Sequence, residues 1–177
     1  MSGTIPECNT RIHNIDRIRK AYLMWEDIPI AELIHEYSSL SSMFSWAVKP
    51  LYENFPKCEA RGEYVDICGI DLGLNKEIYY RRYDIAVVTQ RLIPEGREDL
   101  KKYLQLMELT NYDKYEALCR GHGVCGNDDY YVSRTPDKII DINNFRWVRD
   151  FDMPPKDFVA DDYGWLDHYE NPAINQY

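Results

Sequence analysis

The chain has 177 residues, 45% hydrophobic and 29% charged, a composition that fits one ordinary domain with a buried core and excludes a disordered segment. Thirty acids outweigh 21 bases, and the resulting formal charge of −9 repels phosphate and argues against direct binding of nucleic acid. The first residues hold no basic region followed by an apolar run, and no apolar stretch nears the ~20 residues of a membrane span. A cytoplasmic protein without a membrane segment is therefore expected, with its five cysteines as reduced thiols. Tyrosine is the outlier, at 15 residues against 5 phenylalanines and 4 tryptophans. Its apolar ring and polar tip suit half-buried contact surfaces.

In chain order, residues 14–25 read as a helix capped by Asn14, with Ile15, Ile18, Tyr22 and Trp25 at helical spacing. Asp27 and Pro29 offer the start of a second helix, with Ile30, Leu33, Ile34 and Tyr37 on one face. The serines of 38–42 interrupt it, 43–48 resume it, and Pro50 stops it. From Glu63 the pattern turns to β-branched and aromatic residues. Segments 63–73 and 77–91, with 73–76 between them, predict a β-hairpin, with a bulge at Gly69 as an option.

After Pro94, Leu100, Tyr103, Leu104 and Met107 mark a helical face, and a short helix over 112–119 follows from an Asn111 cap. Short strands are expected at 129–133, 138–142 and 145–151. Helices followed by strands without βαβ alternation argue for an α+β fold. Its parts are N-terminal helices, an antiparallel hairpin or sheet, and an extended C-terminal arm. Residues 1–150 form the domain and 151–177 the acidic, aromatic arm.

Cys119, His122 and Cys125 lie within seven residues among flexible glycines. A helix end explains most of this: Gly121 as the left-handed residue past the last turn, Arg120 and His122 beside the negative end of the dipole, Cys119 in the core. The sharper alternative is zinc, with the three side chains as ligands and Cys58, Cys68 or a water as the fourth. Asp128 or Asp129 would then serve as general base. A third reading pairs Cys119 or Cys125, as nucleophile, with His122 as its base. His13, His35 and His168 have no motif around them. No paired CxxC or HxxxH knuckle accompanies the cluster, so the helix end is the preferred reading.

Asp66, Asp71 and Asp84 on the expected hairpin raise a metal-dependent hydrolase, but in a regular strand Asp66 and Asp71 point to opposite faces. A bulge at Gly69 would bring them to one face. Residues 69–73 match no phosphate-binding loop, and Arg81 and Arg82 alternate on a sheet surface.

The C-terminal segment carries the strongest functional signal. Residues 145–169 hold seven aromatics, and 150–177 hold seven acids and one base. Such rings need a cover, either the protein's own body or a partner. In the second case Trp147, Phe158, Tyr163, Trp165 and Tyr169 are anchors, and Asp161 and Asp162 form the rim. The expected function is a non-enzymatic acidic interaction protein: an assembly subunit, adaptor or inhibitor whose partner is another protein. No cofactor is expected. The alternative is a small zinc- or thiol-dependent enzyme centred on Cys119, His122 and Cys125.

Overall fold

The computed structural model describes residues 15 and 17–145. Where the sequence predicts N-terminal helices, the chain forms three strands: β1 (Arg17–Trp25), β2 (Ile28–Ser38) and β3 (Met43–Pro50). They pair antiparallel, with Lys20 opposite Ile34, Leu33 opposite Val48 and His35 opposite Trp46. This corrects the helical reading, and two features explain it. The register slips between Leu23 and Met24, which leaves Ile30 as an extra residue of β2 and breaks its period of two. Ile30, Leu33, Ile34 and Tyr37 then mimic a helical stripe although they straddle the sheet. Pro29 is tolerated beside the same irregularity. In β1 the end near Trp25 is buried on both faces, so no alternation of apolar and polar residues survives there.

The β1–β2 connection is only Glu26 and Asp27, with Glu26 at φ +50°. Neither residue announces a tight hairpin as Asn-Gly would. Arg61 ties the turn down through ion pairs to Glu26, at 3.1 Å, and to Asp27.

The expected hairpin over 63–91 is not formed. The chain after β3 makes a short helix, α1 (Phe55–Ala60), then runs without regular structure through 63–71. Asp71 accepts a hydrogen bond from the Gly73 amide and caps a turn of 3-10 helix over Leu72–Leu74. β4 (Tyr79–Arg82) pairs with β3 instead of with 63–72, placing Tyr79 opposite Val48. A one-turn helix, α2 (Ala86–Thr89), follows. Gly69 is the reason the segment folds back: at φ +80° its Cα faces the Ala86 methyl, and a Cβ there would meet it at 2.8 Å.

The two later helices form close to where the spacing places them, as α3 (Leu100–Leu106) and α4 (Lys114–Arg120). Asp113, not Asn111, caps α4 by accepting from the Glu116 amide at 3.0 Å. β5 (Tyr130–Ser133) also forms as expected and pairs with β1, giving the order β4-β3-β2-β1-β5. Residues 138–141 form no strand, and 142–145 make a 3-10 turn. A mixed α+β fold results, built on one antiparallel five-stranded sheet.

One core cluster joins Leu23, Leu33, Trp46 and Val48 of the sheet to Ile67, Val87 and Leu118. A second joins Met24 and Tyr131 to Tyr103, Met107, Val124 and Phe145. No helix among the described residues is long and apolar enough to cross a membrane. The segment 151–177 and most of the strand expected at 145–151 lie outside the described residues.

Candidate functional site

The segment 63–71 crosses the first core with alternating burial. Val65, Ile67 and Ile70 point inward, which turns Tyr64, Asp66, Cys68 and Asp71 to the outside. The opposite wall is 127–130. Arg91 is buried behind it, donating to the carbonyls of Gly123 and Tyr130 and pairing with Asp128. The Tyr130 hydroxyl stitches the walls together, donating to Glu63 at 2.9 Å and accepting from the Asp66 amide. Burial pushes that phenol's pKa up, so it stays a protonated donor.

Between the walls is a cleft of about 840 Å³. Glu63, Asp66, Asp71, Asp128 and Asp129 contribute five carboxylates to its lining, and no lysine or arginine lines it. Tyr64, 79% exposed, stands at its edge. Glu63 and Asp129 also line an adjoining cavity of about 490 Å³, whose other walls include Trp25, Arg61, Ile140 and Ile142. The left-handed turn at Gly69 is what puts Asp66 and Asp71 on one cleft, the outcome the sequence makes conditional on a bulge there. Asp128 and Asp129 come from a segment about sixty residues away in the chain, a distance that sequence spacing does not bridge.

A second charged region has the opposite character. Glu116, 2% exposed, sits among three guanidiniums: Arg134 at 2.6 Å, Arg120 at 3.2 Å and Arg19 at 3.9 Å. Arg19 also pairs with Asp113 at 2.9 Å, and Arg120 donates to the carbonyls of Met107 and Glu108. Burial works to raise the Asp113 pKa, but the hydrogen bond and charge of Arg19 outweigh it and hold the carboxyl below its ordinary range. His35 lies between this cluster and Trp46, whose ring meets it edge-on at 4.6 Å. Burial, reinforced by the Arg19 charge, lowers its pKa to about 3, so it is a neutral imidazole at ordinary pH.

The structure gives Cys119, His122 and Cys125 three different sets of partners. Cys119 faces the first core, and burial pushes its thiol up to about 11. That is the pKa of an inert core cysteine rather than of a nucleophile. His122, at φ +51°, caps the outer side of β5: its carbonyl accepts from the Val132 amide, and its Nδ1 donates to the Val132 carbonyl at 2.8 Å. The Cys125 thiol donates to Asp128 at 3.6 Å.

Helix α4 does end here, yet Gly121 is right-handed, and the left-handed residues are His122 and Gly123. Among the described residues, no group of three or more His, Cys, Asp or Glu side chains is placed to hold a metal. The expected anchors Trp147, Phe158, Asp161, Asp162, Tyr163, Trp165 and Tyr169 lie outside the described residues. No family model, no curated protein and no solved structure matches this chain.

Proposed function

We propose that this chain is a non-enzymatic interaction protein whose acidic cleft receives a basic segment of a protein partner. The observation that carries the reading is the cleft's lining: five carboxylates, Asp128 and Asp129 adjacent in the chain, with no lysine or arginine among the lining residues. Asp66 and Asp71, which join no ion pair among the described residues, leave negative charge on one side of the cleft, and a guanidinium or ammonium entering from outside is drawn to it. Tyr64 at the rim adds an exposed ring of the kind that anchors protein contacts. The acidic, aromatic residues of the C-terminal segment belong to the same reading as a further contact surface.

Binding of a short arginine- and lysine-rich peptide, followed by titration calorimetry, tests it. The expected result is binding that weakens as salt rises and that falls on the order of tenfold in Asp66→Asn/Asp71→Asn. A peptide that binds the double variant as well as the unaltered chain overturns the cleft as the site.

A further inference from the structure

The sheet has a second face, opposite the first core. Ile34, Glu36 and Ser38 of β2 and Ser45 and Ala47 of β3 alternate with Leu33, His35, Trp46 and Val48, and so stand on it. Tyr22 and Met24 of β1 share this side, and there the second core covers the sheet: Met24, Tyr131 and Phe145 meet in it, and Tyr22 packs against it. Over β2 and β3 the second core has ended, since neither Ile34 nor Ala47 belongs to it or to the first. Yet Ala47 is 1% exposed, Glu36 is 3% exposed, and Ser38 and Ser45 are fully buried. On a bare sheet face a glutamate side chain reaches water. A further layer lies over β2 and β3, and it is neither of the two cores.

We propose that this layer is the segment 146–153, which follows Phe145 outside the described residues and docks on the outer face of β2 and β3. The chain leaves from a suitable place, because Phe145 sits in the second core on this side of the sheet. The reach also fits. The row of Ile18, Glu36 and Ser45 is six residues from Met24 along β1, about 20 Å, and β3 is two strands across from β1, about 10 Å. Eight extended residues span about 26 Å. With strand alternation Trp147, Arg149, Phe151 and Met153 fall on one side, three of them apolar, and Arg149 brings a base to the buried Glu36. Asp150 and Asp152 fall on the other side, toward solvent. Residues 1–14 are the competing cover and fit less well. They hold no Phe, Tyr or Trp, and they lead into β1 beside Ile18, which is 55% exposed and so not beneath the layer. The inference is independent of the acidic cleft. It assigns Trp147 to the protein's own body and leaves Tyr163, Trp165 and Tyr169 for a partner.

Maleimide labelling of the full chain carrying Ala47→Cys, read by mass spectrometry of the peptide around residue 47, tests this. Labelling there should be at least about tenfold slower than at the exposed Cys68 of the same molecule. Trp147→Ser/Phe151→Ser should speed it on the order of tenfold, and Ile5→Ser/Ile12→Ser should leave it unchanged. Circular dichroism confirms that each variant is folded. A second measurement leaves every docked side chain in place: in Lys20→Cys/Asp152→Cys, a short bismaleimide should join residues 20 and 152 within one chain. Labelling of residue 47 as fast as Cys68 means an open face and overturns the proposal. Protection released only by Ile5→Ser/Ile12→Ser assigns the layer to residues 1–14, and protection lost on dilution assigns it to a second copy. Either result overturns the proposal, as does a folded protein in which residues 20 and 152 are not joined.

Discussion

The surroundings of Glu116 and the cleft of Asp66 and Asp71 are both dense in charge, and they are built on opposite principles. Around Glu116 every acid faces a base across a few ångströms, Glu116 and Arg120 are buried and Asp113 and Arg134 half-buried, and α4, β1 and the end of β5 are tied together by the result. In the cleft Asp66 and Asp71 are exposed and join no ion pair among the described residues, while Asp128 is paired with the buried Arg91. The first arrangement is a means of holding a fold. In the second, Asp128 and Glu63 hold the walls through Arg91 and Tyr130, whereas no base among the described residues pairs with the exposed Asp66 and Asp71 carboxylates.

That contrast makes stability the sharpest instrument for breaking the comparison. The largest effect is expected at Glu116. Glu116→Gln leaves three guanidiniums crowded around a neutral amide in a site with almost no access to water. Removing one partner of a buried ion pair costs about 3–5 kcal/mol, or a melting temperature lower by roughly 10–15 °C for a chain of this size. Thermal and chemical denaturation measure it. A loss below about 1 kcal/mol would mean that the arginines find other partners and that the cluster is not what ties α4 to the sheet.

The next effect concerns pH. Unfolded, His35 takes up a proton near 6.5; folded, burial and the Arg19 charge hold it to about 3. Between those values the unfolded chain binds more protons, so stability falls as pH falls through that window and is flat above it. The slope contributed is at most about 1.4 kcal/mol per pH unit. Asp113, whose carboxyl is held below its ordinary 3.8, loses its contribution only at lower pH, so pH 4.5–6.5 isolates the histidine. Denaturation midpoints for the unaltered chain and for His35→Phe should diverge across that window, the variant being the flatter. Parallel curves would show that His35 is protonated in the folded protein.

The two regions also differ in how far the sequence reveals them. Helices α3 and α4 and strand β5 are legible because Tyr103 and Met107, or the run of aromatic and β-branched residues at 130–132, carry one periodicity each. The N-terminal strands are not, because the irregularity at Ile30 offsets the alternation of β2 and the inward-facing side chains of the sheet include Arg19 and His35. A polar residue on the core side of a strand reads as its solvent side. The ion cluster that accommodates them is assembled from residues as far apart as Arg19 and Arg134, so nothing local signals it. Half of the cleft is visible in advance: Asp66, Gly69 and Asp71 lie together, and only the handedness of one glycine separates the two outcomes. The other half depends on Tyr130 bringing a distant wall to Glu63.

The smallest expected effect is the one that decides what the cleft is for. Asp66 and Asp71 are exposed, Asp66 joins no ion pair among the described residues, and the cap that Asp71 provides to Gly73 is one that asparagine also makes. Asp66→Asn/Asp71→Asn should therefore change the free energy of unfolding by no more than about 0.5 kcal/mol, with a slight gain from relieved repulsion. Urea denaturation measures it on the same protein used for peptide binding. A loss above about 1 kcal/mol would make these carboxylates structural and erase the contrast with Glu116. A null or favourable change, together with a loss of binding to a cationic partner, separates the two kinds of charge. One kind is kept because the fold needs it, and the other is kept although the fold does not.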